Sequence, residues 1–289
     1  MVIPTKKLQN GFEMPVFGLG TWQMGGRHEH DLNNNDDADI AAVRQALDAG
    51  ITHIDTAESY AQGYAEVLVG KAIKPYDRSK IFLASKAHQE NLSYERIIHS
   101  AKESLKRLQT DYLDLYYAHR FNPDIPLKET MRGMDSLVEE GLIRHIAVSN
   151  FTVEQCKEAQ SYTKHKIVAN QLHLNLQYRE AERKGLVEYC QQNDIFFVAW
   201  RPLQKGMLLE EKSGVLFEMM QKYKKTAAQI AINWLISQKN MVTLSKMGSK
   251  EHLKENLGAL GWEMEKEDIA RLDKEFPNQQ DISDAVPLI

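Results

Sequence analysis

The chain has 289 residues, 43% of them hydrophobic and 26% charged, with a formal net charge of −4. That balance is ordinary for a globular protein and leaves no bulk basic footprint for nucleic acid. The two cysteines, Cys156 and Cys190, form no spaced framework, and no apolar run approaches membrane-spanning length. A reduced, cytoplasmic protein with neither a membrane nor a nucleic-acid partner is expected.

Asn10-Gly11, between residues 5–9 and 12–16, signals a β-hairpin at the start. Strand patterns follow at 16–20, 52–56, 81–86, 112–119, 144–150, 167–173, 195–200 and 241–246. Between them lie helical patterns, notably 93–108, 127–140, 182–193 and 226–239. In the second of these, Leu127, Met131, Met134, Leu137 and Val138 have the spacing of one buried face. Eight strand–helix units with no Pro/Gly/Ser-rich linker imply parallel strands joined by crossovers. The expected fold is α/β, a (β/α)8 TIM barrel with an N-terminal β-hairpin, one domain over residues 1–289. A doubly wound sheet is disfavoured, because Gly18-Leu-Gly20 continues Thr-Trp-Gln and lacks the third glycine of the dinucleotide fingerprint.

Barrel chemistry gathers at the C-terminal ends of strands. Here those ends carry Thr21-Trp22, Asp55 with Tyr60 shortly after, Lys86, His119, Ser149-Asn150, Gln171, Trp200 and Lys246. A lone tyrosine or histidine beyond a strand is more often packing than chemistry. Four ionisable groups after three consecutive strands, converging on one mouth, point to a site. An ammonium at Lys86 is expected to lower the tyrosine pKa from its usual value of about 10, with Asp55 holding the lysine charged. Neutral His119 would hydrogen-bond a carbonyl, and Tyr60 would protonate an oxygen gaining negative charge. On these residues alone, Lys86 could instead form a Schiff base as in aldolases.

The segment RHEHDLNNNDDAD (27–39) mimics the start of an EF-hand with Asp31, Asn33 and Asn35. Asp36 then stands where the loop needs glycine, and Ala42 where it needs glutamate. No metal is expected; a solvated loop ending in an aspartate N-cap is. Trp234 lies on an apolar helical face and reads as core, while the composition of the tail 276–289 does not decide a role for it.

The motifs GLGTW (18–22), GITHIDTAESY (50–60), IFLASK (81–86), DYLDLYYAH (111–119), GLIRHIAVSNF (141–151), NQL (170–172) and SKMGSKEHLKEN (245–256) together resemble the aldo-keto reductase superfamily over essentially the whole chain. The resemblance implies a catalytic tetrad of Asp55, Tyr60, Lys86 and His119, with hydride transfer from NADPH, or NADH, to a small-molecule aldehyde or ketone. It also implies a cofactor cradle. Thr21, Trp22 and Asp55 would border the nicotinamide, Ser149, Asn150 and Gln171 would hold its carboxamide, and Trp200 would stack on its ring. Arg201, Pro202, Leu203 and Gly206 would pass over the pyrophosphate, Arg201 replacing the usual serine. Lys246, Met247, His252, Glu255 and Asn256 would serve the adenosine end. Met247 stands where a hydroxyl is common, and His252 where an arginine fork usually clamps the 2′-phosphate. On the substrate side are Trp22, His119, His88 and Arg120, the last two at positions often filled by tryptophan. Two potentially cationic groups there imply a polar or anionic carbonyl substrate. A cofactor-sensing binding module with slow turnover, similar to potassium-channel β-subunits, is the alternative within the same resemblance. Oligomeric state is not readable.

If His252 touches the phosphate, NADPH affinity falls as pH rises through about 6.5, the ordinary imidazole value, while NADH affinity stays flat. Cofactor titrations at several pH values check this, and parallel curves would remove the contact.

Overall fold

In the computed structural model, which describes residues 2–204, 206 and 214–288, the chain opens with a hairpin. Strand β1 (Thr5–Lys7) pairs antiparallel with β2 (Glu13–Pro15), Lys6 opposite Met14. Asn10-Gly11 does reverse the chain, but within a wider loop than a two-residue turn. Leu8 N–H donates to the Phe12 carbonyl, and Phe12 N–H donates to Asn10 Oδ1. The wider loop lets Leu8, Phe12 and Met14 bury together against the barrel interior. The Phe12 ring lies 4.4 Å from His145, 5.8 Å from Phe196 and 6.0 Å from Phe82, all near the starts of their strands. The hairpin therefore plugs the N-terminal end and leaves the other end for chemistry. Lys6 Nζ fastens it by donating to the carbonyls of Ile236, Gln238 and Met241 at 2.5–2.8 Å.

Strands β3 (Phe17–Gly20), β4 (His53–Asp55), β5 (Phe82–Ala87), β6 (Leu113–Ala118), β7 (Ile143–Ser149), β8 (Ile167–His173), β9 (Phe196–Trp200) and β10 (Met241–Ser245) form a closed parallel barrel. β10 pairs with both β9 and β3. Every strand read from the sequence lies within one residue of its observed bounds. Strand β3 passes so close to β4 that a Cβ at Gly18 would sit 2.5 Å from His53 Nδ1, which explains the glycine.

Around the barrel run α1 (Asp36–Asp48), α2 (Tyr64–Ile73), α3 (Tyr94–Leu108), α4 (Leu127–Glu139), α5 (Val153–Ser161), α6 (Glu180–Arg183), α7 (Leu186–Gln192), α8 (Gly214–Tyr223), α9 (Ala227–Ser237), α10 (Lys250–Leu257) and α11 (Lys266–Glu275). The face read on α4 is buried at Leu127, Met131, Met134 and Leu137. One helical reading is corrected: 182–193 is two helices, α6 and α7, separated at Gly185, whose φ of +74° ends the first. Trp234 is fully buried, its indole N–H donating to Asp273 at 2.9 Å. Trp262 packs on Tyr223, ring centroids 5.1 Å apart, and donates to the Gly258 carbonyl. Cys156 and Cys190 are buried free thiols, and burial pushes Cys156 up to about 12, away from thiolate chemistry.

The loop before α1 also differs from expectation. Its cap is Asn35, whose side chain accepts from Ala38 N–H, not an aspartate. Asp39 instead reaches back, accepting from Gly25 N–H and Asn34 Nδ2, both at 2.9 Å. His30 stacks on Tyr64 with centroids 3.6 Å apart, and His28 meets Trp22 edge-on at 5.6 Å. The loop is pinned over the barrel mouth. Among the described residues no group of three or more His, Cys, Asp or Glu is placed to hold a metal ion. Nor is any helix among them long and apolar enough to cross a membrane.

Candidate active site

Asp55 is the last residue of β4, and Lys86 sits near the end of the adjacent β5. Their side chains are 1% and 0% exposed, and Lys86 Nζ lies 2.5 Å from Asp55 Oδ1. The other Asp55 oxygen accepts from Gln171 Nε2 at 2.9 Å, reaching from β8. Lys86 also donates to the Thr56 carbonyl at 2.8 Å and reaches Tyr60 Oη at 3.4 Å. Every charge in this dry cluster therefore has a partner.

The electrostatics are settled by burial first. Burial alone would lower the lysine, but Asp55 and Tyr60 outweigh it and hold the ammonium above its usual range. For Tyr60 the outcome corrects the expected direction. Burial raises the phenol, and the lowering effect of Lys86 offsets this only in part, so the group stays protonated beyond its ordinary value. His119 follows β6, its N–H donating to the Ala87 carbonyl and its Nδ1 lying 3.3 Å from Ser59 Oγ. Burial, then the charges of Lys86, Arg120 and His88, hold its imidazole well below the usual value and so neutral. The Tyr60 ring meets Trp22 edge-on at 5.0 Å and His119 at 5.9 Å.

The residues read as a cofactor cradle fall into three groups around this mouth. Next to the tetrad, Thr21 Oγ1 donates to the Asp55 carbonyl, and Ser149 Oγ donates to the Gln171 carbonyl at 2.9 Å. Asn150, at φ +59°, donates through Nδ2 to Ser149 Oγ and the His119 carbonyl. Its Oδ1 is buried and unpartnered, an acceptor ready for an amide N–H.

Further round, Trp200 stacks on His173 at 4.3 Å and 10°, and His173 on Tyr178. Arg201 takes a left-handed φ of +57°, its carbonyl accepting from Asn175. Its guanidinium turns to the C-terminal tail, 3.3 Å from Asp284, which also accepts from Gln204. Pro202 is buried, while Leu203 and Gly206 are half-buried.

At the third edge Lys246 is exposed, 3.4 Å from Gln23 Oε1. Ser249 caps α10 by accepting from His252 N–H, and the His252 side chain is exposed. Asn256 is buried against Ser245 Oγ, and Glu255 is half-buried. The Met247 side chain packs in the core, 2% exposed, so its thioether is not presented at the surface beside Lys246.

On the substrate side, His88 caps a short turn, its Nδ1 accepting from Glu90 N–H while its own N–H donates to Glu58. Arg120 stands exposed at the rim, yet its charge bears on both Tyr60 and His119. Several contributors were not singled out from the sequence. Glu58, Ser59, Ser283 and Asp284 lie outside the strand-end positions, His173 closes β8 two residues beyond Gln171, and the tail's Asp284 meets Arg201 only through the fold.

The chain matches the Aldo/keto reductase family over residues 16–275. It belongs to that family. Methylglyoxal reductase YeaE of Escherichia coli is 34% identical over 268 residues, covering 91% of this chain and 92% of the relative. The solved thermostable aldo-keto reductase Tm1743, in complex with epalrestat, is 40% identical with a TM-score of 0.90, covering 93% and 98% of the two chains. An aldo/keto reductase from Klebsiella pneumoniae, in complex with NADP and acetate, is 32% identical with a TM-score of 0.84 over the full length of both.

In an aldo/keto reductase barrel a buried lysine that loses its counter-charge is left unanswered. Asp55→Asn is expected to destabilise the protein by about 3–5 kcal/mol, and Asp55→Asn combined with Lys86→Met to recover most of that loss. Urea unfolding of both variants checks it, and an unstable double variant would contradict the pairing argument.

Proposed function

We propose that this aldo/keto reductase uses NADPH, with NADH as a weaker option, to reduce a small polar or anionic aldehyde or ketone, Tyr60 serving as the acid. The observation that carries the reading is Lys86 between Asp55 and Tyr60, fully buried and in reach of both. When bound, the nicotinamide supplies a hydride to the carbonyl carbon. The chain's own residues handle the oxygen. Raised by burial, Tyr60 keeps its proton until that oxygen becomes basic, then gives it up as the C–O double bond becomes single. The phenolate left behind lies beside the Lys86 ammonium, which stabilises the charged form most when it is needed. Neutral His119 can donate a hydrogen bond to the same oxygen without competing as an acid.

The cradle fits the cofactor through Asn150 Oδ1, the unpartnered buried acceptor, which suits a carboxamide N–H. Trp200 offers the stacking ring, and Lys246 beside the capped start of α10 suits a phosphate. Solved relatives in complex with NADP or NADPH support the same choice. A polar substrate is supported by His88 and Arg120 at the rim, and by relatives bearing the names methylglyoxal reductase and glyoxal reductase. The Schiff-base reading is disfavoured. Lys86, ion-paired and held above its usual range, offers no lone pair at neutral pH.

Tyr60→Phe is expected to lower kcat by about 10²–10⁴ while NADPH still quenches protein fluorescence. With a neutral aldehyde and saturating NADPH, kcat should show no limb from His119 near 6.5, since its imidazole is held neutral well below that value, and should fall only at strongly alkaline pH, as Tyr60 loses its proton. Retained turnover in Tyr60→Phe would remove the tyrosine from the mechanism. For the substrate, Arg120→Trp should weaken acidic aldehydes relative to neutral ones, and an unchanged preference would remove the anionic class.

A further inference from the structure

Beneath the tetrad lies a second buried charge cluster that the chemistry above does not use. Glu66, in the first turn of α2, is 0% exposed. Its Oε1 accepts from Ser85 Oγ at 2.5 Å, and its Oε2 accepts from Arg107 Nε at 2.6 Å. Ser85 immediately precedes Lys86 on β5, so one carboxylate oxygen is tied to the strand that carries the lysine. Arg107, in the last turn of α3, also donates to Ser104 and is 26% exposed.

The same arginine presses on the turn that carries Tyr60. Residues Tyr60–Gly63 form a single turn in which Ala61, Gln62 and Gly63 take φ of +49°, +54° and +87°. Two of these are not glycine, so the turn is strained and must be held by its surroundings. At Gly63 an added Cβ would lie 2.8 Å from Arg107 Nε, which shows how closely the guanidinium covers it. The turn leads straight into α2 and Glu66. Tyr60 Oη is 3.4 Å from Lys86 Nζ, at the long edge of hydrogen-bond reach, so a small displacement of the turn breaks the link.

We propose that Arg107, acting through Glu66 and across Gly63, is a positioning residue for Tyr60. The Ser85–Glu66–Arg107 bonds lock the strained turn to the strand of Lys86 and thereby fix the distance from phenol to ammonium. The proposal rests on the reading of Tyr60 as the acid. A buried carboxylate is favourable here only with its cation present. Burial pushes Glu66 up, and Arg107 and Ser85 work against that. Loss of the arginine therefore frees both ends of the link at once. The cradle residues Trp200, Arg201 and Lys246 make none of these bonds, so cofactor binding should be spared.

The test uses the full chain with NADPH and an aldehyde that it reduces. Arg107→Ala is expected to lower kcat about tenfold or more, since displacement by about an ångström can cost about 10²-fold. KM for the aldehyde and the affinity for NADPH should stay near the unmodified values. Guanidinium ion, added far below unfolding concentrations, should restore part of kcat by occupying the vacated site beside Glu66. Glu66→Gln should lower kcat similarly without responding to guanidinium. An unmodified kcat in folded Arg107→Ala protein overturns the proposal. So does a joint loss of kcat and NADPH affinity without rescue. Should Arg107→Ala fail to fold, Arg107→Lys keeps the charge but not the Nε bond, and kcat is then expected to fall with KM unchanged; an unmodified kcat in that variant overturns the proposal equally. Activity in Tyr60→Phe would remove the acid itself, whereas a dead Tyr60→Phe beside a fully active Arg107→Ala removes only the positioning role.

Discussion

A lysine with no exposed surface keeps its charge only if every donor direction is answered, and Lys86 is answered by Asp55, Thr56 and Tyr60. Each partner is supplied by the closed barrel. Strands β4 and β5 are neighbours in register, with Asp55 opposite Ala84, so Lys86 projects just beyond the carboxylate. Gln171 then crosses from β8 to take the second Asp55 oxygen. The pair therefore depends on three strands that meet only when the barrel closes. The hairpin plug at the far end, built on Leu8, Phe12 and Met14, closes that end of the barrel and leaves the charged cluster at the open one.

The proposed chemistry follows from an imbalance within that cluster. Burial and Lys86 act on Tyr60 in opposite directions, and burial is the larger. A phenol depressed to near-neutral pH would sit partly ionised, and only a fraction of the molecules would carry the proton to give. A phenol raised by desolvation alone would resist ionisation even in the transition state. With the ammonium beside it, the charged form is the one that gains from the contact, which is where catalysis draws its advantage. In the proposed mechanism His119, kept neutral by the same burial and by the surrounding cations, orients the carbonyl and does not store a proton.

Much of this was legible in the sequence because strand alternation is a local signal, and the eight strands fall within one residue of their readings. The strand ends then placed Asp55, Lys86 and His119 by topology alone, and Tyr60 by proximity. What could not be read is what depends on burial or on distant chain. The sign of the Tyr60 shift required knowing that its phenol is shielded from water. Asp284 meets Arg201 across 83 residues, a pairing no local pattern encodes. Gly185 reads as an interior helix residue from spacing alone, but its positive φ separates two short helices. Met247 sits in the line of positions read as facing the adenosine end, but its apolar side chain is buried where the fold offers core. The cap is Asn35, one residue before the run of aspartates, and Asp39 within the first turn reaches back to Gly25 and Asn34.

The central claim is that Lys86 eases the ionisation of a tyrosine that burial keeps protonated. Its most direct measurement is the ionisation of Tyr60 itself, followed by carbon-13 NMR of ring-labelled tyrosine, assigned by loss of the signal in Tyr60→Phe, in the intact chain and in Lys86→Met. The account predicts that Tyr60 titrates above the ordinary value of about 10 in the intact chain, and higher still once the ammonium is gone. Titration below 10, or a value unmoved by removing Lys86, would contradict it.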